Sequence, residues 1–148
     1  MKYYSYDNFK VDTNILIKKM QSFNPEAIVA IARGGMSLAQ AIAEGLDLRD
    51  VQSIRTELYD DTQMRDTLKL FGSCDFGGKK RVLVVDDIAD SGQTLEAVME
   101  NLQRQHPNVV FKSATLFYKK SSIVEPHFWV NEADDWIDFF WERDFKSD

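Results

Sequence analysis

The stretch VLVVDDIADSGQTL, from Val82 to Leu95, decides the fold of this chain. Four apolar residues lead into Asp86 and Asp87, a small polar loop follows at 90–94, and a helical pattern then begins. The order of strand, acid pair, loop and helix suits a ligand with a phosphate and hydroxyls, because loop amides and a helix N-terminus attract phosphate. Carboxylates can hold hydroxyls or a hard cation. The alternative is a plain connection in which Asp90 or Ser91 caps the helix.

Composition limits the function classes that fit. With 148 residues and a 44% hydrophobic share, the chain predicts one globular domain spanning 1–148. Its net charge of −6 and lack of a basic stripe argue against nucleic-acid binding. Cys74 is the only cysteine, which excludes an internal disulfide and fits a reducing compartment. No signal peptide and no membrane-length apolar run is visible, so we expect a cytoplasmic protein without integral membrane association.

Strand and helix patterns alternate along the chain, which predicts an α/β fold with a mostly parallel sheet flanked by helices. The stretch 60–80 is polar and predicts a long loop or a mobile hairpin, and such loops are often functional. The predicted elements are a helix at 8–23, a strand at 27–32, a helix at 37–45, strands at 51–59 and 81–85, a helix from Leu95, a strand at 109–118 and a short strand at 127–130.

Chemically suggestive residues follow three of these strands. Arg33, Gly34 and Gly35 follow the strand at 27–32, the acid pair follows the central strand, and Lys119 follows the strand at 109–118. Because ligands gather at the carboxyl ends of parallel strands, these residues are expected at one edge of the sheet. Alone, the glycines fit a tight turn and Lys119 a solvated strand end. Beside a phosphate loop, glycine lets amides approach a ligand and arginine can grip phosphate oxygens.

The segment at 82–94 resembles the phosphoribosyl-pyrophosphate (PRPP) signature of type I phosphoribosyltransferases, in which two acids precede an acid-[ST]-G-x-T loop. The resemblance implies that family's sheet, with a mobile loop and a small C-terminal hood. It places the ribose hydroxyls near Asp86 and Asp87, with Asp87 the favoured contact to Mg²⁺ and Asp86 possible. It also implies a non-proline cis peptide at Arg33–Gly34. Pyrophosphate would lie on Arg33, Gly34 and Gly35, and the 5-phosphate on Asp90, Ser91, Gly92, Gln93 and Thr94.

Short length, the arginine–glycine–glycine loop and the tail WIDFFWE (136–142) together resemble the bacterial xanthine-guanine (6-oxopurine) phosphoribosyltransferases. The resemblance implies that Lys119 hydrogen-bonds the purine O6, that Trp136 stacks on the base and that the backbone of Ile137 reads the exocyclic position. Without it, Trp136 would be interpreted as core. In the same way Asp90 becomes the catalytic group, exchanging a proton with purine N7. Tyr59 and Arg65 would close over pyrophosphate.

The implied reaction moves the 5-phosphoribosyl group from PRPP to guanine, xanthine or hypoxanthine, with Mg²⁺ as cofactor and pyrophosphate as the second product. A homo-oligomer, dimer or tetramer, is expected by resemblance. Departures at Lys120 and at Phe139–Phe140, where relatives have proline, leave the preferred 6-oxopurine open. Two other functions stay open: a PRPP-binding regulatory protein, and transfer to another base such as adenine, orotate or uracil. A phospho-receiver domain fits poorly, because its acid pair normally ends the first strand.

Overall fold

The computed structural model describes residues 1–60 and 66–147, which form a layered α/β structure. In chain order the elements are β1 (Lys2–Tyr4), α1 (Tyr6–Met20), β2 (Ala27–Ala32), α2 (Met36–Leu46), β3 (Val51–Asp60), β4 (Asp66–Phe71), β5 (Arg81–Val85), β6 (Ile88–Ala89), α3 (Gln93–Gln105), β7 (Val110–Ala114), β8 (Phe117–Tyr118), β9 (Asn131–Glu132), β10 (Ile137–Phe139) and α4 (Phe140–Arg143).

The central sheet has five strands in the order β4-β3-β2-β5-β7. Strand β2 pairs in parallel with β3 and β5, β5 pairs in parallel with β7, and β4 alone runs antiparallel, against β3. This confirms the predicted mostly parallel α/β fold. The carboxyl ends of β2, β5 and β7 therefore meet at one edge of the sheet.

Both faces of the sheet are covered, which explains why β2 and β5 are apolar throughout instead of alternating with polar residues. Ile28 and Leu83 point to one core, shared with α1 and α2, while Val29 and Val84 point to the other, shared with α3. All four side chains are fully buried. The two central strands are thus a rigid base for the loops that follow them.

A small hood lies beside the carboxyl edge. Strand β1 pairs in parallel with β10, in the register Lys2 with Ile137 and Tyr4 with Phe139. The Tyr4 ring is buried and makes edge contacts with Phe117, at 5.1 Å, and with Phe139, at 5.7 Å. The hood is therefore assembled from both ends of the described chain. Strands β6, β8 and β9 form a further three-stranded sheet.

Several element predictions were wrong in detail. The strand predicted at 109–118 is broken, because Thr115 leaves the central sheet: its N–H donates to Phe128 O at 3.0 Å and its hydroxyl to Phe117 O at 2.8 Å. The strand predicted at 127–130 is reduced to a single bridge between Ala114 and Phe128. The cis peptide joins Ala32 and Arg33, at the last residue of β2, and not Arg33 and Gly34.

Two further differences and one confirmed alternative concern the rest of the chain. Helix α1 begins at Tyr6 rather than residue 8, because Ser5 and Asn8 form a capping box. The stretch 60–80 contains β4, so the hairpin alternative is the correct one. Strand β1 was not predicted. Among the described residues, no helix combines the length and the apolar character needed to cross a membrane.

Candidate active site

Asp86 and Asp87 directly follow β5, as predicted, and their backbone is fixed by neighbouring strands. The carbonyl of Asp87 accepts hydrogen bonds from Leu116 N at 3.0 Å and Phe117 N at 3.2 Å. Each carboxylate is held by a backbone amide: Asp87 N donates to Asp86 Oδ1, and Ile88 N to Asp87 Oδ1, both at 2.8 Å. The two acids are thus positioned by the fold before any ligand binds.

This acid pair is electrostatically strained. Burial raises the pKa of Asp86 well above its usual range, and the adjacent charge of Asp87 raises it further. Burial also raises the pKa of Asp87. In the described part of the chain, no lysine, arginine or histidine forms an ion pair with either carboxylate. A buried acid and a half-buried one, neither with a cationic partner among the described residues, fit a site for a cation or for hydroxyl donors.

The arginine–glycine–glycine loop packs against this acid pair. A Cβ at Gly34 would lie 2.7 Å from Asp87 Oδ2, and a Cβ at Gly35 would lie 2.2 Å from Val85 O. Gly35 N also donates to Ile31 O at 2.8 Å. Only glycine permits this approach at both positions, so the loop and the end of β5 form one continuous surface. The prediction that these residues lie at the same sheet edge is correct.

The loop 90–94 surrounds the start of α3. Its residues Asp90, Ser91, Gly92 and Thr94 line a cavity of about 180 Å³ together with Asp86 and Asp87, whereas Gln93 is not part of the lining. The N-cap of α3 is Gly92, with φ of 84°, and it has no side chain to accept from the first-turn amides. Ser91 Oγ accepts from Gln93 N at 3.3 Å. The helix therefore keeps amide donors and a positive dipole end directed at the cavity, as an anion site requires.

A neighbouring turn supports this loop from behind. Ile123 N donates to Ser91 O at 2.9 Å, and a Cβ at Gly92 would lie 2.3 Å from Ser122 Oγ. The same turn begins at Lys119, whose carbonyl accepts from Ser122 N at 2.9 Å. The loop 90–94 and Lys119 are therefore parts of one hydrogen-bonded unit. No sequence pattern indicated this support.

Lys119 and Asp90 form an ion pair, with Nζ 3.0 Å from Oδ1. The Lys119 backbone is fixed by donation from its N–H to Ala89 O at 3.0 Å. The helix-capping alternative therefore does not describe Asp90, whose carboxylate faces Lys119 instead. An ammonium donor and a carboxylate acceptor lie side by side, which suits a ligand edge with adjacent polar atoms.

This ion pair opens into a cavity of about 170 Å³, bounded on the other side by the hood. Trp136 is 65% exposed, so it is not a core residue, while Ile137 is buried. The Trp136 backbone is fixed at both ends, since its carbonyl accepts from Lys2 N at 3.1 Å and its N–H donates to Asp135 Oδ1 at 2.7 Å. The cavity is lined by Asp87, Ile88, Asp90, Lys119, Asp135, Trp136, Ile137, Phe139 and Glu142.

A third cavity, of about 580 Å³, lies beside Arg33 and Gly34. Its wall includes Glu142 and Lys146, which belong to no motif of the sequence. Glu142 lines this cavity and the preceding one, and its charge contributes to the raised pKa of Asp87. Both lie in an aromatic tail just beyond Trp136, whose sequence does not indicate which polar residues face a cavity. Arg65, and the side chain of Tyr59 in β3, lie outside the described part of the chain.

Comparison with known proteins gives a consistent result. Residues 6–148 match the family model described as a phosphoribosyl transferase domain. The xanthine-guanine phosphoribosyltransferase of Roseobacter denitrificans is 33% identical over 152 residues, covering 93% of this chain and 83% of that protein.

Solved structures agree with the sequence relatives. The Helicobacter pylori xanthine-guanine-hypoxanthine phosphoribosyltransferase superimposes with a TM-score of 0.91 at 40% identity, over 97% of this chain and 94% of that one. A purine phosphoribosyltransferase from Pyrococcus horikoshii gives 0.83 at 28% identity, over 99% and 96% of the two chains.

Proposed function

The chain belongs to the phosphoribosyltransferase family, and from that premise we propose that it transfers the 5-phosphoribosyl group of PRPP to a 6-oxopurine. The products are the purine nucleoside monophosphate and pyrophosphate, a purine salvage reaction. The relatives named for xanthine, guanine and hypoxanthine support these bases as substrates. The family match over 6–148 supports a single catalytic domain.

One observation carries the proposal: a paired lysine and aspartate and an exposed tryptophan surround one cavity, next to an acid pair and a phosphate loop. In its N7–H tautomer a free 6-oxopurine presents an acceptor, O6, beside a donor, N7–H, on one edge, which matches the ammonium of Lys119 beside the carboxylate of Asp90. Lys119 can only donate, so it suits O6 and disfavours a 6-amino group. Trp136 offers an exposed ring face for stacking, and the backbone of Ile137 lies next to it for the exocyclic position.

The sugar and its 5-phosphate are assigned to the other half of the site. The amides and hydroxyls of the loop 90–94 bind the phosphate at the N-terminus of α3. Asp86 and Asp87 accept from the ribose hydroxyls. This division places the reacting carbon of the ribose between the acid pair and the base cavity, since Asp87 lines both cavities.

Mg²⁺ is the cofactor that the family implies, and the acid pair fits it. Asp87 would be the main ligand of the ion, and Asp86 would assist it. The ion would neutralise charge on the departing pyrophosphate. No group of three or more potential metal ligands exists among the described residues, so substrate oxygens and water would complete the coordination. This is the usual arrangement for Mg²⁺, which retains waters and bridges phosphates.

In the transfer step, purine N9 attacks C1 of the ribose while the bond from C1 to pyrophosphate breaks. Asp90 takes the proton from N7 as N9 forms its bond, and Lys119 stabilises the charge that shifts to O6. Arg33, with the amide of Gly34, holds the leaving pyrophosphate, whereas the Gly35 amide is already used by its hydrogen bond to Ile31 O and Gly35 serves the turn. The ion pair between Asp90 and Lys119 must open for this step. Each of the two side chains then replaces its contact with the other by a contact with the base.

The test is a panel assay with PRPP, Mg²⁺ and one base at a time: guanine, xanthine, hypoxanthine, adenine or orotate, with release of pyrophosphate as the readout. We expect turnover with 6-oxopurines and none with adenine or orotate. Binding of PRPP without turnover of any base would instead support the regulatory alternative, which a gel-shift assay would then examine. Turnover of adenine or orotate alone would refute the base assignment.

Lys119→Ala gives a sharper test, with the adjacent Lys120→Ala as its control. Lys120 is exposed and pairs with Glu132 on the surface, 3.6 Å away. We expect Lys119→Ala to reduce guanine turnover strongly and Lys120→Ala to leave it unchanged. Guanine turnover unaffected by Lys119→Ala would overturn the assigned role.

The family resemblance also supports a cytoplasmic homo-oligomer, dimer or tetramer, and light scattering would measure its mass.

A further inference from the structure

The base cavity beside the hood has a carboxylate next to the group that is assigned to the exocyclic position. We propose that Asp135 makes this cavity favour guanine over xanthine, because its charge attracts the 2-amino group of guanine and repels the 2-oxo group and the negative charge of xanthine. The inference rests on the proposed transfer reaction and adds a specificity-determining residue to it. It starts from three consecutive hood residues, Asp135, Trp136 and Ile137, which all line the cavity of about 170 Å³.

The chemical difference between the two bases lies at C2. Guanine has an amino group there, which donates hydrogen bonds, whereas xanthine has an oxo group, which only accepts them. Xanthine also loses a ring proton near neutral pH and then carries a negative charge, while guanine and hypoxanthine remain uncharged. The contacts assigned to O6, N7 and the ring face are common to both bases. The choice between them therefore depends on a group close to Ile137, and Asp135 is such a group.

The charged residues around the cavity leave an excess of negative charge. Its lining contains one cation, Lys119, and four carboxylates, those of Asp87, Asp90, Asp135 and Glu142. Lys119 is paired with Asp90, at 3.0 Å, and the charge of Asp87 would be offset by Mg²⁺. Asp135 and Glu142 remain. A base that carries a negative charge would thus meet charge of the same sign in a confined space, where the field of the lining is concentrated.

The carboxyl group of Asp135 is held in place and stays ionised. The Met1 ammonium, 2.9 Å from Oδ2, and the Trp136 N–H, which donates to Oδ1 at 2.7 Å, lower its pKa, and the charge of Lys119 lowers it further. Met1 does not line the cavity, whereas Asp135 does, so a bound base meets the carboxylate first. The Asp135 side chain is 73% exposed, and solvent therefore limits its effect on the choice of base to a few-fold.

The kinetic test compares Asp135→Asn with the adjacent Asp134→Asn as its control. Asparagine keeps an oxygen that can accept from the Trp136 N–H and removes the charge. Asp134 is exposed and does not line the cavity. With PRPP, Mg²⁺ and one base at a time at neutral pH, Asp135→Asn should raise kcat/KM for xanthine about threefold relative to guanine and to hypoxanthine. Asp134→Asn should leave both ratios at the wild-type value.

Ionic strength distinguishes an effect of charge from an effect of shape. Because salt screens exposed charges, the selectivity of the wild-type protein against xanthine should decrease as salt is added, and that of Asp135→Asn should change less. PRPP is the same in every assay, so its own salt dependence cancels in the ratio between bases. If the two proteins had the same xanthine-to-hypoxanthine ratio at low salt, the role of Asp135 would be overturned.

A binding test separates this inference from the proposed function. Calorimetry with the monophosphates of guanosine, xanthosine and inosine needs no turnover, and the base of the xanthosine nucleotide is anionic at neutral pH. Asp135→Asn should strengthen binding of that nucleotide about threefold relative to the inosine nucleotide. If no base is turned over yet this change appears, the reaction assignment fails and the Asp135 assignment stands. Affinities that change equally for all three nucleotides, or for none, would overturn the Asp135 assignment.

Discussion

The two glycines that follow Arg33 should respond differently to the same added methyl group. At Gly34 a new Cβ would lie 2.7 Å from Asp87 Oδ2, whereas ordinary contact begins at 3.4 Å, so the carboxylate must move by about 0.7 Å. The obstacle is a side chain, and the φ of Gly34 is not in the left-handed region. We therefore expect Gly34→Ala to fold and to displace one acid of the sugar site.

A displacement close to 1 Å at a reacting centre can cost about 100-fold in rate, so we expect kcat/KM for PRPP to fall about 10- to 100-fold. At Gly35 the new Cβ would lie 2.2 Å from Val85 O and 2.9 Å from Asp86 Cα, which are backbone atoms of the central strand's end. No side-chain rotation relieves that overlap. Gly35→Ala should therefore lose about 3 kcal/mol or more of unfolding free energy.

The assay pairs urea unfolding with steady-state kinetics for each variant. Gly45→Ala is the matched control, because its Cβ meets only the Ile17 side chain in the packing of α1 on α2. It should leave the KM for PRPP unchanged. The reasoning would be refuted if Gly34→Ala had wild-type kinetics for PRPP and Mg²⁺, or if Gly35→Ala were as stable as wild type.

Three further outcomes are expected. Because burial and Asp87 raise the Asp86 pKa, ionisation of Asp86 opposes folding as pH rises; Asp86→Asn should therefore add at least about 1 kcal/mol of stability at pH 8, less at pH 5, while removing activity. If thermal melts showed that the stability added by Asp86→Asn is larger at low pH than at high pH, this reasoning would be contradicted. Trp136→Ala should raise the KM for the base about 5-fold or more with little change in Tm, since the ring is 65% exposed; an unchanged KM would exclude stacking. Tyr4→Phe removes a 2.7 Å hydrogen bond to Asp12 and should cost about 1–2 kcal/mol in urea unfolding without changing kcat, whereas a lowered kcat would show that the contact serves the site.

The structure of segments whose residues are close in sequence could be predicted. Contacts between residues that are far apart in the chain could not. The run at 82–95 holds a buried strand, an acid pair and a helix start within one short segment, so period and turn chemistry were sufficient to predict its structure. Strand β1 has three residues, KYY, and exists because β10 pairs with it from the other end of the chain. No local pattern carries that information.

The site shows the same division. The roles expected of Lys119 and Trp136 came from a resemblance, and the structure adds what the sequence could not show: the ion pair of Lys119 with Asp90 and the exposed ring of Trp136. Glu142 and Lys146 were missed because an aromatic tail without clear period gives no indication of which polar residues face a cavity. Their relevance follows only from tertiary placement.

The pairing of β1 with β10 gives the two halves of the site different folding requirements. The groups that would hold the sugar phosphate lie on β2, β5 and the start of α3; β5 and α3 are adjacent in the chain, and β2 pairs with β5 across 55 residues, from Ala27 to Val82, so these elements can associate earlier than the hood. The surface proposed to stack on the purine becomes fixed only when β1 and β10, which are separated by almost the entire sequence, have paired. Loosening the hood should therefore erase base affinity first, leaving a protein that still captures its activated sugar, and amide hydrogen exchange should be faster in β1 and β10 than in β2 and β5.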